Sequence, residues 1–476
     1  MGQEIDGSRF KKQDFQRFLS RLKQETELLG QWFKEQRFAS DRTVAGFELE
    51  AWLVDEHWLP APLNAEFIQA MATPLVCPEL ASFNVEFNYT PQDLQGRALS
   101  SINKEMTDLW QRGNQVAKQL GGQLAMIGIL PTVDENYLTM QHISSMNRYR
   151  ALNEQVLRLR QGRPLELNIY GTDHLQMSHS NVMFESATTS FQIHLQIPVQ
   201  LAVRAYNASM IVSAATVAVA ANSPFLCGKD LWAETRIPLF EQSVEVGGYE
   251  AAAHGPIRRV TFGSGYLHHS LFECFTENLE HYPILLPDLI DEPLERFSNL
   301  RLHNGTLWRW NRPLIGFEND QAHIRIEHRV VPAGPSVMDA VANAAFYFGL
   351  VLNLMQREIQ PELQLPFNQA RDNFYNAAKY GYDGQMVWLD GNKHNIRTLI
   401  LKDLLNIAAQ GLEKAGIDPQ DIDAYLGIIE QRTNNACNGA AWQRAFTARY
   451  GSDMQALTSA YIERQNSGMP VHEWNL

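Results

Sequence analysis

The sequence predicts an α+β protein in which a sheet with one apolar face packs against long buried helices. Four stretches alternate apolar and polar residues as half-buried strands do, at 43–55, 81–91, 188–198 and 321–332. Two strongly apolar stretches, 201–221 and 335–357, have the length and composition of buried helices. Because strands and helices are interspersed and then followed by a mainly helical portion, we expect one mixed unit covered by helices.

The composition is that of a soluble globular protein. Of the 476 residues, 45% are hydrophobic and 20% are charged, and the formal net charge is -13. This negative charge argues against a nucleic-acid-binding protein, which needs a concentrated basic surface. The four cysteines stand far apart, without the spacing of a disulfide framework or a zinc site, so a reducing cytoplasm is the expected location. The apolar runs are shorter than the roughly 20 residues of a membrane span, so we expect no membrane association. The patterns do not indicate an oligomeric state.

The remaining elements follow the same periodicities. Helices are predicted over 8–35, 96–120 and 400–434, and short buried strands in "QLAMIGILP" and "PLELNIYG". The sequence contains no repeat or linker that would separate independent domains. The expected organisation is an N-terminal amphipathic helix within 1–40, a central α+β domain over 41–360 and a mainly helical C-terminal portion over 361–476, packed on the same unit.

The polar faces of the four strands carry carboxylate, amide, imidazole and guanidinium side chains, which are the types that proteins use to bind metals and substrates. Side chains two apart in a strand project the same way, so Glu48 and Glu50 lie on one face of the first strand. The polar faces of the other three strands carry Glu86 and Asn88; Gln192, His194 and Gln196; and Arg325, Glu327 and Arg329. For each strand alone, a face that merely contacts water is the alternative interpretation, although such a face is usually rich in Lys, Thr and Ser.

These side chains together favour a site for a metal-bound nucleotide. Neighbouring carboxylates repel each other unless a cation lies between them. Mg²⁺ prefers oxygen ligands and commonly bridges a carboxylate to phosphate oxygens, while arginine forks match phosphate and carboxylate groups. If the four strands belong to one sheet, its polar face is predicted to bind such a ligand.

At these positions the sequence resembles the glutamate–cysteine ligase family, especially its bacterial carboxylate–amine ligase branch. "GFELEAWLVD", "VEFNYTP" and "TTSFQIHLQ" are similar to three strands of that family. The most specific segment is "ANSPFLCGKDLWAETR", in which Asn-Ser-Pro-Phe is followed by Gly-Lys and then an Arg. "IEHRV" resembles the family's Glu–X–Arg strand, and "YGYDG" and "GMPVHEW" fit the bacterial branch. The five main motifs occur in the family's order over about 43–355.

The resemblance implies a glutamine-synthetase-like fold, with a curved, mainly antiparallel sheet whose concave face holds ATP and Mg²⁺, or Mn²⁺ in its place. It implies a ligase that joins the γ-carboxylate of glutamate to an amine, most often cysteine as in glutathione biosynthesis, through an acyl phosphate. Motif positions imply metal ligation by Glu48, Glu50, Glu86 and Glu327, charge stabilisation by Arg236 and Arg329, and nucleotide or substrate binding by Gln192, His194, Lys229 and Arg325. For His194 and Gln192, metal ligation is equally compatible. The alternatives are that Arg329 only pairs with Glu327 and that Lys229 is an ordinary surface lysine.

Three features depart from the family pattern. Trp310 stands in "TLWRWNRPL" where an acidic residue is common, and "LIGFENDQAH" is interpreted as an insertion before the Glu–X–Arg strand. In the second strand, Glu86 lies one residue further from Thr90 than the family pattern has it. These departures leave open the amine acceptor and one of the metal ligands. Two other functions therefore stay in competition with the ligase: a phosphotransferase acting on a guanidino or amine group, and a degenerate member that binds nucleotide without turnover.

Overall fold

The computed structural model describes residues 4–5, 7, 9–39, 41–246 and 258–476. The strands of this part of the chain are β1 (Val44–Val54), β2 (Val76–Pro78), β3 (Asn84–Asn88), β4 (Gln92–Asp93), β5 (Gln123–Ala125), β6 (Leu165–Tyr170), β7 (His174–His179), β8 (Phe191–Gln196), β9 (Phe225–Leu226), β10 (Lys229–Asp230), β11 (Val260–Thr261), β12 (Trp308–Arg309), β13 (Asn311–Glu318), β14 (Gln321–His328), β15 (Gln385–Val387) and β16 (Lys393–Asn395). The helices are α1 (Lys12–Glu35), α2 (Asn64–Met71), α3 (Ala98–Gln119), α4 (Asn147–Leu159), α5 (Ala202–Ala220), α6 (Arg236–Ser243), α7 (Phe272–His281), α8 (Ser298–Asn304), α9 (Val337–Leu354), α10 (Pro361–Gln364), α11 (Phe367–Tyr380), α12 (Ile396–Leu399), α13 (Leu405–Lys414), α14 (Pro419–Asn434), α15 (Gly439–Tyr450) and α16 (Met454–Gln465).

One curved sheet contains all four of the strands predicted to carry a polar face. Its strand order is β13-β14-β8-β1-β3-β2, with β4 and β5 also paired to β1, and the pairs are antiparallel. In this register Glu50 lies opposite Glu86, and Glu327 lies opposite His194. The polar faces therefore form one continuous surface, which confirms the predicted fold class.

The opposite face of the sheet packs against core helices. Phe47 of β1 stacks on Phe191 with ring centroids 5.4 Å apart, and its ring centroid lies 5.9 Å from that of Phe348 in α9. The segment Val199–Ala220, which contains α5, and helix α9 are long and apolar enough to cross a membrane, but 89% and 94% of their apolar windows are buried inside the protein. Both are core helices that back the sheet.

The stretch 314–323, interpreted as an insertion relative to the family, forms the end of a regular hairpin. Strands β13 and β14 pair residue by residue up to Glu318 and Gln321. The two residues between them, Asn319 and Asp320, have φ angles of 46° and 65°. Asn and Asp tolerate this left-handed conformation, which two-residue hairpin turns require and which suits the twist of the strands.

Other elements differ from the prediction in their limits. The expected helix over 400–434 is divided into α13 and α14, because Gly416 adopts a φ of 78° and Pro419 starts a new helix. "PLELNIYG" forms β6, which pairs with β7 in a separate two-stranded sheet. Parts of the predicted N-terminal helix and of the 1–40 portion, at 1–3, 6, 8 and 40, lie outside the described residues. The division of the chain at 40 and 360 stays a prediction.

Candidate active site

The polar face of the sheet forms one wall of a cavity of about 190 Å³. The predicted site residues that line this cavity are Glu48, Glu50, Glu86, Gln192, Arg325, Glu327 and Arg329. A second cavity, of about 490 Å³, shares Glu48 and Arg325 with the first and is also lined by His194. Eight of the ten predicted residues thus line one or both of these cavities.

Three carboxylates form the first group of possible metal ligands. Glu50, Glu79 and Glu86 each offer an oxygen, and these atoms all lie within 4.8 Å of one another. The Glu50 carboxylate accepts hydrogen bonds from the Ser190 amide at 2.6 Å and from the Gln192 Nε2 at 2.9 Å. Because burial outweighs the attraction of Arg329, the pKa of Glu50 is raised to about 7. Two buried carboxylates and a half-buried one, whose charges repel one another, fit a hard divalent cation such as Mg²⁺.

The second group joins two carboxylates to an imidazole. The Nε2 atom of His194 lies 3.4 Å from Oε1 of Glu48 and 4.0 Å from Oε1 of Glu327. The other ring nitrogen, Nδ1, accepts a hydrogen bond of 3.1 Å from Nε of Arg325. Within the described residues Nε2 has no hydrogen-bond partner, so it is directed at the carboxylates as a mixed nitrogen and oxygen ligand set would require.

Two arginines hold Glu327 in place. Arg312 donates from Nε and Nη2 to the two carboxylate oxygens, at 2.7 and 2.9 Å, and Arg329 donates from Nη1 at 3.3 Å. Burial alone would raise the pKa of Glu327, but these two guanidinium groups lower it to about 2. Arg329 also donates to Oε1 of Gln192. Arg329 therefore links Glu327 of the second group to Gln192, whose Nε2 donates to Glu50 of the first group.

Arg236 and Lys229 do not line either of these cavities. Arg236 is 2% exposed, and its Nε lies 3.1 Å from Oε1 of Glu234. It also donates to the backbone carbonyls of Arg329 and Val330. The structure thus places Arg236 as a support for the end of the Glu–X–Arg strand, whereas Lys229 lies exposed on β10. A role for either residue in charge stabilisation or nucleotide binding rests on the resemblance.

Five charged residues of the cavity escaped sequence reasoning: Glu79, Arg148, Glu185, Arg301 and Arg312. Glu79 directly follows the short strand β2, and Glu185 lies in the single-turn helix Met183–Ala187. Neither position has the alternation that marked the strand residues. Arg312 does lie on a strand, but the hairpin that places it opposite Glu327 was not predicted.

Trp310 is completely buried outside the two cavities, where its Nε1 donates to Oε1 of Glu241 at 2.9 Å. The guanidinium carbon of Arg236 lies 5.4 Å from its ring centroid. The departure at this position therefore changes the packing behind the site and leaves both ligand groups intact.

Comparisons with known proteins agree with this geometry. The model of Glutamate-cysteine ligase family 2 (GCS2) matches residues 44–466. A protein of Trichormus variabilis (strain ATCC 29413 / PCC 7937), named "Putative glutamate--cysteine ligase 2", is 25% identical over 152 residues. That match covers 31% of this chain and 37% of the relative, so it spans just over a third of the relative's length.

Two solved structures have a similar fold. Glutamate–cysteine ligase from Francisella tularensis, in complex with AMP, matches with 11% identity and a TM-score of 0.52 over 90% of both chains. A bifunctional glutathione synthetase from Pasteurella multocida matches with 10% identity and a TM-score of 0.52, over 94% of this chain and 55% of that one. At these identities the likeness concerns the fold. Since the family model spans most of the sequence, the chain belongs to Glutamate-cysteine ligase family 2.

Proposed function

We propose that this protein is a soluble, cytoplasmic, ATP- and Mg²⁺-dependent ligase that joins the γ-carboxylate of glutamate to an amine, with cysteine as the first candidate acceptor. The observation that carries the proposal is the presence of two ligand groups on one sheet face, Glu50 with Glu79 and Glu86, and Glu48 with His194 and Glu327. Two adjacent cation sites are what a reaction between a triphosphate and a carboxylate requires, because both reactants are anions.

Divalent cations bound by these groups would neutralise the phosphate oxygens and hold the triphosphate against the carboxylate that attacks it. The chain's own residues fix the ligands: Ser190 and Gln192 orient Glu50, and Arg312 orients Glu327. Arg329 interacts electrostatically with Glu327 and Glu50. From this position its guanidinium would stabilise the charge on the phosphoryl group as it passes to glutamate.

The two cavities support separate places for the two substrates. The cavity of about 490 Å³ contains Tyr89, Phe317 and His323, which offer ring surfaces for a nucleobase, and Arg325 at the junction, which faces the phosphates. The cavity of about 190 Å³ contains Arg148 and the acidic group, and we assign it to glutamate. In this arrangement the γ-phosphoryl group and the γ-carboxylate meet beside Glu48.

Family membership and both intact ligand groups favour the ligase over the two alternatives. A phosphotransferase would leave the phosphate on its product, and a degenerate binder would not consume ATP. The ligase forms an acyl phosphate first, and the amine then displaces inorganic phosphate.

The test is phosphate release from purified protein with ATP, Mg²⁺ and glutamate, with and without a panel of amines led by cysteine. We expect release that requires glutamate and rises with the correct amine, and a loss of about 100-fold in Glu50→Gln because a ligand carboxylate is removed. Glu56→Gln is the matched control, since the Glu56 side chain is 84% exposed. ATP binding without turnover on any carboxylate would contradict the proposal.

A further inference from the structure

The carboxylate of Glu185 differs from the other acidic groups in the cavity of about 190 Å³. Glu50 and Glu327 accept hydrogen bonds from two or more donors, and Glu86 accepts from Asn88. In the part of the chain that the structure describes, the Glu185 carboxylate has no hydrogen-bond or ion-pair partner, although it lines the cavity. It does not belong to either ligand group.

A half-buried carboxylate without a partner among the described residues is costly unless a ligand supplies one. Burial, and then the charge of Glu50, raise the pKa of Glu185 to about 8, and Arg329 and Arg148 only partly oppose this. A cationic ligand with hydrogen-bond donors would offset this cost. An ammonium group has the required charge and three donors.

The position of Glu185 relative to the acidic group identifies which ammonium it would meet. Glu185 interacts electrostatically with Glu50, a member of the three-carboxylate group. If the γ-carboxylate of glutamate lies beside that group, its α-nitrogen is separated from it by three carbon atoms and would lie near Glu185, which lines the same cavity. Arg148 lines the same cavity and interacts electrostatically with Glu185, so the α-carboxylate would lie near its guanidinium.

We propose that Glu185 binds the α-ammonium group of the donor glutamate and so makes the site specific for an α-amino acid over a simple dicarboxylate. This inference rests on the proposed ligase function. Glu185 has no part in the transfer of the phosphoryl group and acts in substrate selection.

The experiment compares glutamate with glutarate, which lacks only the α-amino group, as donors for the wild type and Glu185→Gln. We expect kcat/KM for glutamate to fall about tenfold or more in the variant, since a charge-assisted hydrogen bond is lost. The value for glutarate should change less than about twofold, because glutarate never makes this contact. The KM values for ATP and for the amine should stay within about twofold, and Glu185→Asp should retain part of the preference for glutamate.

Calorimetric titration of glutamate and glutarate, with Mg²⁺ and a non-hydrolysable ATP analogue, gives a second measurement that does not depend on turnover. Glu56→Gln again serves as the matched control. An equal loss for both donors, an unchanged ratio, or an effect confined to the amine would overturn the inference while the ligase function stands. If the wild type neither binds nor consumes glutamate, the proposed function itself fails, and the inference fails with it.

Discussion

Glu50 and Glu327 lie on the same sheet face and are both buried, yet their pKa values move in opposite directions. The pKa of Glu50 is raised to about 7 by burial, whereas Arg312 and Arg329 overcome the effect of burial and lower that of Glu327 to about 2. The difference is the number of cationic partners within contact distance. Glu327 is therefore held as an anion by the protein, while Glu50 needs an additional cation to be fully ionised at neutral pH.

The pair of Arg312 and Glu327 gives a first prediction at this scale. Arg312→Met leaves the Glu327 carboxylate buried with one guanidinium fewer, so the free energy of unfolding should fall by about 3 kcal/mol. Arg42→Met is the comparison, because the Arg42 side chain is 42% exposed and solvent screens its pairs with Asp93 and Glu318, so the free energy of unfolding should change little. Urea unfolding of both variants at pH 7 measures the difference. Equal decreases in the free energy of unfolding for the two variants would show that the buried pair of Arg312 and Glu327 stabilises the protein no more than the exposed pairs do.

Glu185 gives a prediction about pH. Its native pKa of about 8 lies above the ordinary value of 4.5, so between these values the native state retains a proton that the unfolded state has released. Stability therefore falls as the pH rises through this window. Without Mg²⁺ and substrates, Glu185→Gln should be more stable than the wild type by about 4 kcal/mol at pH 8.5 and nearly equal to it at pH 4.5. Urea titrations at the two pH values provide the measurement, and a constant difference would refute the raised pKa.

How well a site residue could be predicted from sequence depended on the element that carries it. Glu48 and Glu50 were found because strand alternation places them on one face, and the same pattern located Glu86 and Glu327. Glu79 and Glu185 lie in short irregular segments. In such segments the spacing of residues along the sequence does not indicate which way their side chains point, and these two side chains enter the cavity only through tertiary folding. Arg236 had a motif position but no directional signal, and the structure places it behind the site.

At the scale of elements, the sheet depends on helix α9, which covers its apolar face and crosses α13 closely. A Cβ atom added at Gly349 of α9 would lie 2.3 Å from the backbone oxygen of Ala408 in α13, so glycine is required for this approach.

This crossing predicts opposite effects for two similar substitutions. Gly349→Ala should destabilise the protein by about 1 to 3 kcal/mol, since two backbones would have to separate. Gly427→Ala, in α14, places its Cβ where no atom lies within 4 Å, and should be neutral or stabilising by up to about 1 kcal/mol. Thermal unfolding of the two variants tests this, and a similar midpoint for both would exclude the close crossing.

The elements also show why boundaries were harder to predict than faces. Periodicity gave α5, α9 and the four main strands, because each repeats its pattern over several residues. The hairpin of β13 and β14 was missed because its turn is Asn319-Asp320 without the glycine that usually marks such turns. The break between α13 and α14 is marked in the sequence by Gly416 and Pro419, but the apolar pattern continues on both sides.

At the scale of the whole molecule, antiparallel pairing brings together strands that are far apart in the sequence. Strand β1 lies between β3 and β8, and β8 in turn pairs with β14. This order places both ligand groups on one surface at the junction of two cavities. Five of these six residues could be identified from the sequence, all but Glu79, but their grouping into two sets of three depends on the strand order, which periodicity does not contain.

The most direct test of the central claim follows oxygen-18 from the γ-carboxylate of labelled glutamate during turnover with ATP, Mg²⁺ and the amine. If the carboxylate attacks the γ-phosphoryl group and the amine then displaces phosphate, each phosphate released must carry one labelled oxygen, and the amide must retain the other. Mass spectrometry of the phosphate and the amide measures both. Unlabelled phosphate would mean that water or another acceptor attacks ATP, and the ligase account of this site would be wrong.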